Sequence, residues 1–356
     1  MHTAPIKGRG SLSNKGSRFH SHSREAVPDE WAEPSCQPAP QDTARMPGPT
    51  VLRSTVTYEQ ARSIISRNTS PDIPFDQSIN AYRGCEHGCI YCYARPTHAY
   101  LDLSPGLDFE TKLYAKGNAA ELLRQAFDRP QYRPELIAMG TNTDPYQPIE
   151  RRLRITASLL EVFDQYSHPV SITTKSALVT RDIPLLSKLA KRNLVRVQLS
   201  VTTLDRELAR HMEPRASTPE ARLAAMRALR DAGIPVGVII APVIPGLTDH
   251  ELEHIATAAA KSGAVDAFYV LLRLPREVSE LFQEWLQAHY PLKAARVMNL
   301  LRSMRGGRDY NPDFEQRMGG TGIHADLLRQ RFRRICIRLG LGERRIKLDH
   351  TAFRRP

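Results

Sequence analysis

The sequence predicts an α/β protein built on a parallel sheet, and three observations lead there. Six β-rich apolar runs alternate with segments of helical spacing through the middle of the chain. Two of the helical segments carry residue signals at both ends. At 356 residues and 41% hydrophobic side chains, the chain can bury a sizeable core. Strands that alternate with helices in this way pair in parallel, with the helices covering the sheet.

The elements follow in order. Residues 1–50 are rich in Ser, Pro, Gly and His and poor in large apolar groups. They read as a disordered tail that cannot bury enough surface to offset the entropy of ordering, with order expected from near Val51. Strands are expected at 78–82, 136–139, 170–173, 194–201, 236–241 and 267–272, and helices near 117–127, 153–163, 183–192, 219–232 and 249–262. Thr218 is placed to cap a helix that opens on Pro219 and is followed by Gly233. Thr248 and Glu251 have the spacing of a capping box, with Gly263 after the helix. Residues 291–356 break the alternation, with turns at Asn311-Pro312 and Gly319-Gly320. An amphipathic helix is expected over 325–339, with Leu328, Phe332, Ile335, Cys336 and Leu339 on one face. The domain reading is a tail at 1–50, a core at 51–290 and a basic helical extension at 291–356.

Charge is concentrated at one end. The net charge is +12, and residues 291–356 hold 16 basic and 6 acidic side chains, so most of the excess lies there. Such a segment suits a polyanion, with nucleic acid the leading candidate; a solvated arginine-rich helix is the plainer alternative. The longest apolar run, 236–244, is broken by Gly237 and Pro242 and is too short to cross a bilayer. No charged-then-apolar leader opens the sequence, so a soluble, cytoplasmic protein without membrane association is expected. Five cysteines, an odd and sparse number, argue against a disulfide framework.

Three of those cysteines stand together in the run Tyr82-Arg83-Gly84-Cys85-Glu86-His87-Gly88-Cys89-Ile90-Tyr91-Cys92-Tyr93. Three close thiolates suit a soft metal centre, and a closed centre needs a fourth protein ligand. Cys36 and Cys336 are distant, so one metal position is left open, as catalysis requires. A zinc knuckle completed by His87 or His98, or a structural cluster with a distant ligand, are the competing readings.

In parallel β/α folds, reacting groups gather beyond the carboxyl ends of the strands. Those positions hold Cys85 after the first strand, Thr141 to Gln147 after the second, and Thr174, Lys175 and Ser176 after the third. Ser200, Thr202 and Thr203 belong to the fourth, Ala241 to Gly246 to the fifth, and Arg273 to the sixth.

The C-x3-C-x-aromatic-C run resembles the cluster loop of the radical S-adenosylmethionine (SAM) superfamily. The stretch from Asn80 to Arg95 resembles its spore-photoproduct-lyase-like branch, and the likeness extends over about residues 75–290. The resemblance implies a partial (β/α)6 barrel of the triosephosphate isomerase type, where pattern alone leaves an open sheet equally possible. It implies a 4Fe–4S cluster on Cys85, Cys89 and Cys92, the catalytic and metal-binding residues, with SAM on the fourth iron. It also implies an enzyme that cleaves SAM reductively to a 5′-deoxyadenosyl radical, and that radical takes hydrogen from a substrate. A flavodoxin or ferredoxin would supply the electron. SAM contacts are expected at Tyr91, Tyr93, Thr143, Asp144, Lys175, Ser200, Thr202 and Ala241. Of these, Asp144 and Thr143 would meet the ammonium, Lys175 and Ser200 the carboxylate, and the backbone beside Tyr93 and at Ala241 the adenine. The sequence departs from the family pattern at two places. Thr143-Asp144 replaces the usual Gly-Gly-Glu, and Asn142 stands where spore photoproduct lyase has a hydrogen-returning cysteine. Thymine-dimer repair by that route is therefore not expected. Nucleic acid, a peptide or a small molecule all remain open as the substrate, beside a non-enzymatic metal-binding module.

Overall fold

The computed structural model describes residues 6–19, 52–342 and 346–356. Ten strands follow in chain order: β1 (Thr55–Glu59), β2 (Ile65–Arg67), β3 (Gln77–Ile79), β4 (Tyr82–Arg83), β5 (Lys112–Lys116), β6 (Ile137–Met139), β7 (Val170–Thr174), β8 (Val195–Ser200), β9 (Val236–Val243) and β10 (Asp266–Leu271). Seven form one sheet in the order β10-β9-β8-β7-β6-β3-β2. Neighbours pair in parallel except β2, which runs antiparallel to β3 at the edge. The helices Ala119–Asp128, Ile155–Gln165, Ile183–Ala190, Pro219–Asp231 and Leu252–Lys261 connect the parallel strands. This is the expected partial (β/α)6 barrel. Its central strands are covered on both faces: Val195, Val197 and Leu199 are buried on one face of β8 and Gln198 and Ser200 on the other, while on β9 Val236, Val238 and Ile240 are buried with Gly237 between them.

Local signals were used unevenly. Thr218 accepts from the Ala221 N–H at 3.3 Å, and Gly233 adopts φ +76°, as the cap and stop predicted. The capping box at Thr248 does not form. The Thr248 hydroxyl accepts from the Ile244 N–H at 2.9 Å, while Glu251 accepts from Thr203 Oγ1 and from the Leu204 N–H at 2.7 Å. Glu251 therefore ties the loop after β8 to the loop after β9. The expected first strand divides in two. Asn80 accepts from the N–H groups of Asn142 (2.9 Å) and Thr143 (3.2 Å), which ends β3. β4 instead joins a small second sheet, β1-β5-β4, that sequence patterning did not foresee.

The tail expectation fails for residues 6–19. Arg9, Gly10, Ser11 and Leu12 are buried against the body of the protein, with Leu12 only 5% exposed. Asn14 bonds Asp108, Ser17 bonds the Ala99 carbonyl, and Arg18 pairs with Glu277. Backbone N–H groups and polar or charged side chains do the anchoring, so an apolar count could not find it. Cys36 and the rest of the expected tail lie outside the described residues.

At the other end, the extension is built on helix Pro291–Ser303 and helix Ile323–Leu339. The second buries Ala325, Leu328 and Ile335, with Phe332, Cys336 and Leu339 partly covered, and Arg331 pairs with Glu253 at 2.6 and 2.7 Å. Between the helices, the chain runs beside β10. Leu271 N–H donates to Met318 O at 2.8 Å, and Arg305 donates to the carbonyls of Leu271 (3.2 Å) and Leu272 (2.8 Å). Arg317 then grips both carboxylate oxygens of Asp72, in the connection between β2 and β3. β10 and β2 are the two edges of the large sheet, so this clasp spans the barrel's open side.

At the amino end of β7, His168 is fully buried and stacks on Phe127 at 4.5 Å. Its Nδ1 lies 2.9 Å from Pro169 O and its Nε2 2.7 Å from the Tyr132 hydroxyl, which suits a neutral ring. Burial pushes it down to about 3. No described helix is long and apolar enough to cross a membrane.

Candidate active site

β4 delivers the chain through Gly84 to Cys85, whose N–H donates to Phe109 O at 2.9 Å. The loop then folds on itself: Cys92 N–H donates to Cys89 O (3.2 Å) and Arg95 N–H to Cys92 O (3.2 Å). Fully buried Arg95 is its frame, donating to Cys89 O (2.9 Å), Gly88 O (3.2 Å), Pro105 O (3.0 Å) and Gly106 O (2.9 Å). Glu110, also buried, neutralises Arg95 and accepts from the N–H groups of Gly10 (3.0 Å) and Ser11 (2.8 Å). A Cβ at Gly10 would overlap the Gly88 carbonyl, so only glycine lets the amino-terminal segment pass this close. From the other side, Gln147 accepts from Glu86 N–H (2.9 Å) and donates to Gly84 O (3.2 Å).

This frame leaves the sulfurs of Cys85, Cys89 and Cys92 unbonded to one another and largely buried. Burial, then the charges of Asp144 and Cys89, pushes Cys85 well up; burial and Glu213 push Cys89 to about 12; burial also raises Cys92. Thiols held this way stay protonated unless a metal cation compensates the thiolates, and that donor set fits an iron–sulfur cluster. Among the described residues, no three His, Cys, Asp or Glu side chains converge on one point as ligands of a single ion would. A cuboidal cluster offers a separate iron to each thiolate and needs no such convergence. Neither histidine completes a zinc knuckle: His87 Nδ1 faces Asp144 at 3.3 Å, and His98 Nε2 is 2.9 Å from Lys112 O.

The residues expected to contact SAM do come to one sheet edge, but most are already committed to protein partners. Asp144 is the most heavily committed of them. Its carboxylate accepts from Tyr146 N–H (2.8 Å), Thr174 Oγ1 (2.7 Å) and Lys175 N–H (2.7 Å), and His87 stands against it. Four donors fill a carboxylate's acceptor sites, leaving none for an ammonium. Burial works to raise Asp144, but His87, Thr174 and the Lys175 N–H together hold it down at about 2. Ser200 and Thr202 both turn to Ala241 O, at 3.2 and 3.0 Å, rather than to the open edge. Thr143 bonds Tyr82 O at 3.3 Å. Tyr91 is buried and donates to Glu213, with Thr202 3.1 Å from its hydroxyl. Lys175 keeps its ammonium 5.7 Å from the Tyr91 ring centroid and close enough to Glu213 and Cys89 to lower both. Tyr93 donates to Thr141 O and keeps its ring 45% exposed.

Sequence reading missed the supporting pairs. Glu213 is ion-paired with Arg222, both buried, and Arg222 donates to Ser200 O (2.9 Å) and Ser217 O (2.8 Å). Burial works to raise Glu213, but Arg222 and Lys175 hold it down at about 2. Charged residues inside predicted helices or loops carry no mark of burial, so Arg95, Glu110, Glu213 and Arg222 could be found only through the fold. A separate cleft of about 290 Å³, lined by His87, Arg151, Ser176 and Arg215 among others, opens behind the cysteine loop.

A parallel six-unit barrel, with three unbonded thiols on the loop that follows its first strand by way of β4, is the arrangement of a β/α-barrel enzyme whose loop suits an iron–sulfur cluster. The Radical SAM superfamily model matches residues 79–259. The chain belongs to the radical SAM superfamily, and it is an enzyme of that superfamily. Uncharacterised proteins of Mycobacterium tuberculosis and Mycobacterium bovis are 38% identical over 252 residues, covering 69% of this chain and 74% of theirs. One of Methanocaldococcus jannaschii is 29% identical over 213 residues, covering 60% and 76%. Among solved structures, spore photoproduct lyase complexed with dinucleoside spore photoproduct has a TM-score of 0.54 at 19% identity, covering 84% of this chain and 86% of that one. That likeness establishes a shared fold.

Proposed function

We propose that this enzyme holds a 4Fe–4S cluster on Cys85, Cys89 and Cys92 and binds SAM to abstract hydrogen from a nucleic-acid substrate. A flavodoxin or ferredoxin would deliver the electron. When bound, the cluster and SAM supply one-electron chemistry that ends in removal of a hydrogen atom from a C–H bond. The chain's own residues prepare the place. Arg95, Glu110 and Gln147 fix the loop carbonyls so that the thiols keep their positions. The Glu213–Arg222 pair holds Tyr91 and the end of β8. Lys175, only partly buried, places its Nζ near the thiols, where a carboxylate can meet it. Asp144 orients the loop after β7 and does not touch the ligand.

The observation that carries the reading is the set of three buried, mutually unbonded thiols that need a cation to ionise. Anaerobic reconstitution is expected to give about four irons and four sulfides per chain. Dithionite and SAM should then yield 5′-deoxyadenosine. Cys89→Ala should abolish both; iron uptake unchanged in Cys89→Ala would end the proposal.

Nucleic acid as the substrate rests on the extension. Arg333, Arg334 and Arg338 are exposed on the outer side of helix Ile323–Leu339 and have no ion-pair partner among the described residues. Binding should weaken steeply with salt, and replacing all three with serine should reduce the slope of log K against log salt by about 2 to 3. Turnover stimulated by peptides and indifferent to salt would point to a peptide instead. Asn142, held through its N–H by Asn80, supplies no thiol, so dimer repair by cysteine hydrogen return is not part of the proposal.

A further inference from the structure

The mouth of the barrel holds an arginine that its own fold leaves without an anion. Arg273 follows β10, half-buried, with its guanidinium carbon 4.9 Å from the Tyr93 ring centroid and 5.9 Å from that of Tyr310. Its nearest polar neighbours are weak ones: the Tyr310 hydroxyl at 3.4 Å and Met318 Sδ at 3.7 Å. Its Nε is buried and has no hydrogen-bond partner. Asp72 lies within electrostatic reach of Arg273, but both of its oxygens are taken by Arg317. Asp309, on the same segment, is bound by Arg302 and Ser279.

Around this guanidinium, aromatic faces are left open. Tyr93 is 45% exposed and Phe314 46%, the latter under the Arg317 guanidinium at 4.6 Å. Partly open rings beside the Arg273 guanidinium, which has no carboxylate hydrogen-bonded to it, suit a planar aromatic ligand that carries an oxyanion: rings stack on its face, and Arg donates to its acceptors. A nucleotide has both parts. The position narrows the choice further. Tyr93 directly follows Cys92, so the platform starts one residue from the third thiol, within the rim closed by the Asp72–Arg317 clasp. A base inside a duplex cannot enter such a rim, whereas an unstacked one can.

We infer that Tyr93, Arg273, Tyr310 and Phe314 form a seat for one unstacked nucleotide of a single strand. This rests on the nucleic-acid reading above and adds which form of the polymer enters and where it is held. The exposed arginines of helix Ile323–Leu339 would hold the flanking backbone, outside the seat.

The test is fluorescence anisotropy with the full-length, anaerobically reconstituted protein. The probes are a labelled mixed-sequence single-stranded oligonucleotide, the same sequence as a duplex, and an acidic peptide as competitor. The single strand should bind about tenfold or more tighter than the duplex. Tyr310→Leu and Phe314→Ala should each weaken single-strand binding by about fivefold to a hundredfold while keeping the salt slope, since stacking is lost and charge is not. Arg273→Lys should also weaken it, because an ammonium keeps the charge without the planar face. Phe314 is exposed enough that its replacement leaves the fold intact, and iron content serves as the check for the other two. Seat variants that bind like wild type, while serine at Arg333, Arg334 and Arg338 abolishes binding, would overturn the seat and leave the nucleic-acid reading standing. Equal affinity for the duplex, or displacement of the oligonucleotide by the peptide at equal concentration, would overturn the single-nucleotide assignment. No binding of either nucleic acid at low salt would remove the substrate reading and the seat with it.

Discussion

The two sides of the barrel's carboxyl edge are built on opposite plans. Around the cysteine loop, buried arginines meet buried carboxylates: Arg95 with Glu110 and Arg222 with Glu213. Each arginine spends its remaining N–H groups on loop carbonyls. At the mouth, Arg273 faces two tyrosines and no carboxylate, and the neighbouring rings stand in solvent. A charge pair sealed in a low-dielectric interior tolerates little displacement, whereas an arginine on an aromatic face can exchange one partner for another. The first side therefore fixes a position, and the second is ready to receive something.

Removing Glu110 should break the contrast most severely. Glu110→Ala leaves Arg95 charged, buried and unpaired and frees the N–H groups of Gly10 and Ser11. A loss of about 3–5 kcal/mol is expected in denaturant unfolding, with faster release of iron to a chelator. Unchanged iron retention would mean that the loop is held without this pair.

Acid provides a control remote from both sides. His168 is neutral in the fold at about 3 and returns to about 6.5 when unfolded, so folding is favoured most above pH ~6.5. Its contribution should drain away as pH falls from about 6.5 toward 3, by about 1 kcal/mol per unit. Wild type should lose about 2 kcal/mol between pH 6.5 and 4.5, and His168→Gln appreciably less. Equal slopes for the two proteins would remove His168 as the cause.

The smallest effect belongs to the clasp. Asp72 and Arg317 are mostly covered but lie at the rim, and Arg317→Ala should cost about 1 kcal/mol. Its informative readout is amide exchange: 304–321 should open faster while the cysteine loop keeps its protection. Faster exchange in both would show that the two sides are coupled.

What the sequence revealed divides along the same line. The six parallel strands were legible because their buried positions keep apolar residues recurring in short β-rich runs between helical segments. The cysteine loop was legible because its spacing is local. The roles of Asp144 and Glu251 were not. Asp144 has the motif position of a ligand contact, yet Thr174 and His87, brought by other elements, fill its acceptors. Thr248 and Glu251 have capping-box spacing, but Glu251 finds a better use 47 residues upstream at Leu204. A short polar motif states which bonds can form locally, and tertiary neighbours decide which do. Segment 6–19 was invisible for a related reason: its anchors are backbone amides and polar or charged side chains, which leave no apolar pattern.

That amino-terminal segment has a consequence for how the enzyme is made. Its amides meet Glu110 about 100 positions later, and Ser13 bonds Glu284 at a separation of 271 residues. Contacts that close such long loops form late. The cysteine loop therefore gets its outer wall only once most of the barrel has assembled.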